Sequence, residues 1–181
     1  MDLPKRKKLR LNGYDYSSQG CYFITISTKN HKKLFWHNNE LNKFGEIVEK
    51  HILLLPQKYF GVKLDNYVIM PDHIHLLITI GCDALPNDDE TLINSFNGVY
   101  EFKGIPIMIG SLKSVISKEI KKHNTNIDVW QKSYYDHIIK DNEDYNKTWD
   151  YIDNNPVVYI NKINEKPYFV GNGIDRSAKQ R

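Results

Sequence analysis

Two consecutive apolar runs, VKLDNYVIM (62–70) and HIHLLITI (73–80), meet across Pro71-Asp72. Their aliphatic and β-branched content reads as two strands, and Pro-Asp is the shortest kind of turn signal. A chain that contains them is committed to a sheet. The second strand also carries something that packing alone does not need. His73 and His75 sit one residue apart in an otherwise apolar run. Side chains alternate faces along a strand, so the two imidazoles project together while Ile74 points the other way.

The remaining elements follow from periodicity. CYFITIST (21–28) alternates and predicts a strand, and KLFW (33–36) predicts a short strand or a loop. ELNKFGEIVEKHILLLP (40–56) places Leu41, Phe44, Ile47, Val48, Ile52 and Leu55 at helical spacing, with Pro56 as its end. Residues 81–109 hold no sustained period and read as a long excursion with room for a hairpin of its own; loops of this length are often functional. SLKSVISKEIKKHN (111–124) is amphipathic, with Ser111 as its N-cap. VWQKSYYDHIIK (129–140) predicts a strand. DNEDYNKTWDYIDNNP (141–156) predicts a helix capped by Asp141 or Asn142 and stopped by Pro156, with a short edge strand to follow near Tyr168.

The order β-α-β-β-α-β corresponds to an α+β, ferredoxin-like antiparallel sheet with its helices on one face, plus an added C-terminal helix. The expected organisation is an N-terminal arm (1–20), one domain (21–156) and a partly flexible extension (157–181). The 181 residues suffice for one core. No run of 18 apolar residues is present, so no membrane-spanning helix is expected. The basic N-terminus is not followed by an apolar stretch, so no signal peptide is expected. With only Cys21 and Cys82, a disulfide framework is disfavoured and a cytoplasmic location is expected.

The net charge of +3 diagnoses no partner, but its distribution is uneven. Lys5, Arg6, Lys7, Lys8 and Arg10 form one basic cluster, and Lys113, Lys118, Lys121 and Lys122 another. Either can meet phosphates or stand as a solvated face.

Two imidazoles on one strand face can converge on a cation, or simply bond to their neighbours; a metal site needs a third protein ligand. The last helix offers one. Positions four apart share a helix face, which pairs Tyr151 with Asn155. The Asn155 amide oxygen can complete a His-His-Asn set with open positions, suited to Mg²⁺ or Mn²⁺ on a substrate phosphate. A phenol beside such a metal suggests nucleophilic attack on a phosphodiester. Tyr145, about 240° away round the helix, should not share the site.

Taken together, MPDHIHLLI (70–78), VWQKSYYDHIIKDNEDYNKTWDYIDNNP (129–156) and RLNGYDYSSQGCYFITIST (10–28) resemble the HUH single-tyrosine transposases, in particular their REP-associated branch. The resemblance covers residues 9–36, 63–80 and 110–156. It implies His73 and His75 as metal ligands, Asn155 as the third, and Tyr151 as the nucleophile. It further implies cleavage and rejoining of single-stranded DNA at hairpins through a 5′-phosphotyrosine. The 81–109 excursion is longer than compact relatives lead one to expect.

Supporting roles are expected for Asp136 and His137, behind the ligands or the phosphate. Trp130, Tyr134 and Tyr135 are candidates for stacking on unpaired bases. Arg6, Lys7, Lys8 and Arg10 are candidates for a hairpin groove, and Lys118, Lys121 and Lys122 for phosphates. The short link KDNED favours a monomer with the site in cis, although a homodimer exchanging the tyrosine helix is possible in such a family. Three alternatives stand beside the strand transferase. One is a domesticated hairpin-binding protein without strand transfer, and another is a metal-dependent hydrolase without a covalent step. The third, an RNA-binding sheet, is disfavoured by the aliphatic central strands.

Overall fold

A computed structural model describes residues 13–81 and 102–164. Arg6, Lys7, Lys8 and Arg10, most of the 81–109 excursion with any hairpin in it, and the strand expected near Tyr168 lie outside the described residues. The elements are β1 (Gly20–Ser27), a 3₁₀ turn (Lys29–His31), β2 (Trp36–His37), β3 (Glu40–Leu41), α1 (Lys43–Leu53), α2 (Leu55–Lys58), β4 (Val62–Ile69) and β5 (His73–Ile80). After the undescribed stretch come α3 (Ile105–Lys121), β6 (Tyr135–Ile139) and α4 (Asn142–Asn164).

The main sheet has the order β4-β5-β1-β6, and every neighbouring pair is antiparallel. The turn at Pro71-Asp72 closes where the Met70 N–H reaches the His73 carbonyl at 2.8 Å. Alternation then sorts the side chains. Tyr22, Ile24 and Ile26 of β1 align with Ile74, Leu76 and Ile78 of β5, and all six are fully buried. They join Val48 and Ile52 of α1 and Met108, Leu112 and Ile116 of α3 in one core. Burying each such aliphatic side chain is worth about 1.5–3 kcal/mol. The opposite face carries Thr25 and His75, paired across β1 and β5, and α4 packs over β4 and β5 there. The sheet therefore lies between two helical layers, with α1 and α3 on one side and α4 on the other.

Several boundaries differ from expectation, each for a local reason. Glu40 and Leu41 leave the first helix for a two-strand ribbon. Asn38 and Asn39 both take positive φ (51° and 65°), the conformation a two-residue hairpin turn needs. Asn42 then caps α1, its side chain accepting from the N–H groups of Phe44 and Gly45. Pro56 does more than end a helix, since it lies in the first turn of α2, where its missing N–H costs no bond. Helix α3 begins at Ile105, so Ser111 is inside it and is not its cap. Ile105, Met108 and Ile109 extend the buried stripe of Leu112 and Ile116 backward by nearly two turns. The strand expected over 129–140 is a ladder only at Tyr135–Ile139, with one isolated bridge between Thr28 and Trp130. The Lys113 ammonium occupies carbonyls that a longer ladder would use, donating to Gln131 at 2.6 Å and Lys132 at 3.2 Å.

Asp141 caps α4 as expected, accepting from the Asp144 N–H at 2.9 Å. Pro156 does not stop this helix, which runs to Asn164. The turns beyond the proline have a tertiary anchor. Tyr159 packs edge-on against Trp36 at 5.8 Å, with Lys33 Nζ 5.6 Å from the Tyr159 ring centre. No helix among the described residues is long and apolar enough to cross a membrane.

A charged clip joins α1 to α3. Glu119 accepts from Lys50 Nζ at 3.0 Å and contacts His51 Nε2 at 2.6 Å. The hydrogen bond from Lys50, then that from His51, holds the Glu119 carboxyl below its ordinary value of 4.5. A carboxylate depressed in the folded state contributes stability above its unfolded pKa and loses it as pH falls through the folded one. Thermal unfolding of the wild type should therefore weaken more steeply below pH 4.5 than that of Glu119→Gln; parallel curves would remove this clip from the stability account.

Candidate active site

The site is assembled on the sheet face opposite the main core. His73 and His75 both project there, and their Nε2 atoms stand 3.1 Å apart. Each Nδ1 is already engaged, His73 with Asp72 Oδ1 at 2.7 Å and His75 with Thr25 Oγ1 at 2.8 Å. A carboxylate only accepts, so His73 donates from Nδ1 to Asp72. His75 is 3% exposed. Burial first, and then the neighbouring charge of His73, pushes its pKa down to about 3, so it is neutral. The result is two ring nitrogens facing each other across 3.1 Å.

Such a pair fits a cation. Two nitrogens each about 2.1 Å from one metal, at right angles in an octahedral shell, lie about 3.0 Å apart. Among the described residues no cluster of three or more His, Cys, Asp or Glu forms. Among the described residues a third protein ligand would be of another type, and an amide oxygen suits the hard divalent cations.

Tyr151 comes to the same place from α4. Its ring lies 5.3 Å from His75 and 5.9 Å from Phe23, which itself stacks on His75 at 5.1 Å. Packing holds the ring but leaves 52% of the residue exposed, so a substrate can reach it. Asn155, partly buried, stands one turn further along the helix on that side. Tyr145 pairs with Trp149. Two side-chain bonds fix the helix. Near its start Asp144 contacts His137 Nε2 at 2.9 and 3.0 Å. Past the tyrosine Asp153 accepts from Asn66 Nδ2 at 2.8 Å. Asn66 adjoins a bulge in β4, a device that re-aims a side chain.

The structure thus brings His73, His75 and Tyr151 together within one chain, and it divides the supporting residues. His137 is on the site face, where it anchors the tyrosine helix. Asp136 is not at the site, because it aligns with Ile24 and is buried on the core side of the sheet. Tyr134 is 8% exposed and belongs to the core. Trp130 is half-buried against Phe35, ring centres 5.4 Å apart. Of the aromatics considered for base stacking, Tyr135 is the open one, 51% exposed and aligned with Thr25 on the site face. Lys118 and Lys121 are exposed on α3, which covers the other face, and Lys122 is its exposed C-cap.

Sequence reasoning missed Asp72 and Thr25, the two groups that orient the imidazoles. Asp72 had a signal, since a carboxylate directly precedes His73. Thr25 had none, because only the β1–β5 register puts it beside a residue 50 positions away. Groups that orient a metal-binding histidine typically affect affinity about 10–100-fold. Mn²⁺ titration of Asp72→Ala and Thr25→Val should show losses in that range with unfolding temperatures near wild type; unchanged affinity would deny them this role.

No family model matches the chain. An uncharacterized protein of Haemophilus influenzae is 34% identical over 162 residues, covering 85% of this chain and 89% of the relative. A second Haemophilus influenzae protein, assigned provisionally to the REP-associated tyrosine transposases, is 26% identical over 166 residues, covering 85% and 81%. The REP-associated tyrosine transposase of Escherichia coli K12 is 21% identical over 159 residues, covering 84% and 77%. Among solved structures, a REP-associated tyrosine transposase bound to a REP hairpin matches in fold. The TM-score is 0.52 at 18% identity, covering 95% of this chain and 97% of the other.

Proposed function

We propose that this chain, which belongs to the family of REP-associated tyrosine transposases, cleaves and rejoins single-stranded DNA at hairpin or repeat sequences. In this reading the β4-β5-β1-β6 sheet is a ferredoxin-like catalytic platform, and α4 is the helix that carries its nucleophile. One observation carries the proposal. A half-exposed phenol stands beside two imidazoles whose Nε2 atoms face each other, all in one chain.

His73, His75 and Asn155 would hold a divalent cation, Mg²⁺ or Mn²⁺. When bound, such an ion polarises the scissile phosphate and helps orient it. Tyr151 Oη gives its proton to solvent and forms the new bond to phosphorus. The bond from phosphorus to the 3′ oxygen breaks, and that oxygen takes a proton from solvent and leaves as a free 3′-OH. The enzyme retains a 5′-phosphotyrosine, which conserves the ester, so a 3′-OH can reverse the attack and join strands with no outside energy source. Asp72 and Thr25 keep the imidazoles aimed, and the Asp144–His137 and Asp153–Asn66 bonds hold the tyrosine helix. Because these groups come from one chain, a monomer suffices. Arg6, Lys7, Lys8 and Arg10 are proposed to follow a hairpin groove, and Tyr135 to stack on an unpaired base.

The test is a denaturing gel of the full chain incubated with labelled single-stranded hairpin oligonucleotides, including its own flanking repeats, in Mn²⁺, Mg²⁺ or EDTA. The expected result is a covalent protein–DNA band in metal and none in EDTA. Cleavage without such a band would overturn the covalent step.

A further inference from the structure

A cleft of about 670 Å³ lies along one side of α3, closed by the Lys29–Asn30 turn and by residues 128–132. We propose that this cleft is a track for the phosphodiester backbone of the DNA that flanks the scissile bond. The inference rests on the function proposed above and adds where the flanking strand runs.

Charge comes first. The cleft is lined by Lys29, Lys113, Lys121 and Lys132 against one acid, Asp128. Asp128 is committed to Lys29, and Lys113 to the carbonyls of Gln131 and Lys132. Lys121 and Lys132 form no hydrogen bond or close ion pair among the described residues, and both are exposed. Two exposed ammonium groups without a hydrogen bond, with the hydroxyls of Ser114 and Ser117 between them and Gly110, suit an extended row of phosphate oxygens. Trp130, the aromatic of the lining, is half-buried on Phe35, which favours backbone over base contact.

Gly110 is the second observation. It sits inside α3, where glycine weakens a helix relative to alanine. Packing does not demand it, because a Cβ built there meets no atom within 4 Å. It opens on the cleft instead, and a missing side chain there lets a ligand approach the helix closely.

Continuity with the site is the third. Gln131, on the cleft wall, lies 3.2 Å from His31 Nε2. His31 Nδ1 lies 3.7 Å from Asp72 Oδ2, and Asp72 orients His73. Asn30 and His31 hold positive φ (56° and 50°), so the turn joining cleft and site is locally strained. A strand leaving the histidine pair past His31 enters the cleft at Gln131.

The experiment measures binding by fluorescence anisotropy in EDTA, using hairpin oligonucleotides with long or trimmed single-stranded flanks. Lys121→Ala/Lys132→Ala should weaken binding of the long-flank DNA about 10-fold at moderate salt and lower the salt slope by about 1.4. The trimmed DNA and the cleavage rate at saturation should change little. Lys43→Ala, exposed on α1 and outside the cleft, should leave the slope as it is. Gly110→Ala should raise Tm, whereas Gly110→Met should keep the fold and weaken long-flank binding. A wild-type slope in Lys121→Ala/Lys132→Ala overturns the track while leaving the proposed function standing. Competition by polyglutamate that needs Lys121 and Lys132, with DNA binding unaffected by their loss, overturns it in favour of an acidic protein partner. A wild type that neither binds nor cleaves any DNA overturns both.

Discussion

Tyr151→Phe should lose the covalent protein–DNA adduct entirely and slow cleavage by at least about 10⁴-fold, the scale on which enzymes respond to loss of a nucleophile. The substitution removes one oxygen and leaves the ring that packs on His75 and Phe23. The residue is half-exposed, so little burial is at stake. Stability and Mn²⁺ affinity should stay at wild-type values. That combination separates chemistry from folding, and it separates two reaction classes. A metal-activated water would cut DNA in Tyr151→Phe as well as in wild type. A domesticated binding protein would never have formed the adduct, and the substitution would change nothing it does.

His73→Ala should have the complementary signature. It removes one of the two facing Nε2 atoms and leaves Asp72 without its partner. Mn²⁺ affinity should fall by more than about 100-fold, beyond the 10–100-fold typical of groups that merely orient a ligand. Adduct formation should fall with it, and high Mn²⁺ should restore part of the loss, as it could not in Tyr151→Phe. His73 is more exposed than His75, so its truncation is the cleaner of the two. Undiminished Mn²⁺ affinity in His73→Ala would show that the facing imidazoles are a hydrogen-bonded pair and not a metal site.

The two experiments test different parts of the reading, and those parts were not equally legible. The His73/His75 pairing rests on the two-residue period of a strand, a property of one element, and it was readable before any fold was known. So was the cap at Asp141, where the acceptor and the Asp144 N–H are three residues apart. The reach of α4 past Pro156 was not. A proline removes one hydrogen bond locally, but the turns beyond it are held by Trp36, more than a hundred residues earlier in the chain. The start of α3 was hidden because its apolar period, Ile105 to Ile109, runs on from a Gly- and Pro-rich stretch that reads as loop.

What the sequence determined by itself was therefore of short range: which segments are strands, which residues share a face, and which residue types were present to hold a cation and attack a phosphate. Which face receives α4 was decided by tertiary structure, and much follows from that choice. It places Tyr151 over the histidines, turns His137 toward the site and Asp136 toward the core, and leaves Tyr135 open while Tyr134 is buried. It also puts the α3 lysines across the sheet. Adjacent residues on one strand differ in pattern only by parity, and parity acquires meaning once both layers are packed. Thr25 is the sharpest case, since a lone hydroxyl in β1 becomes an orienting group only when register lays it against His75.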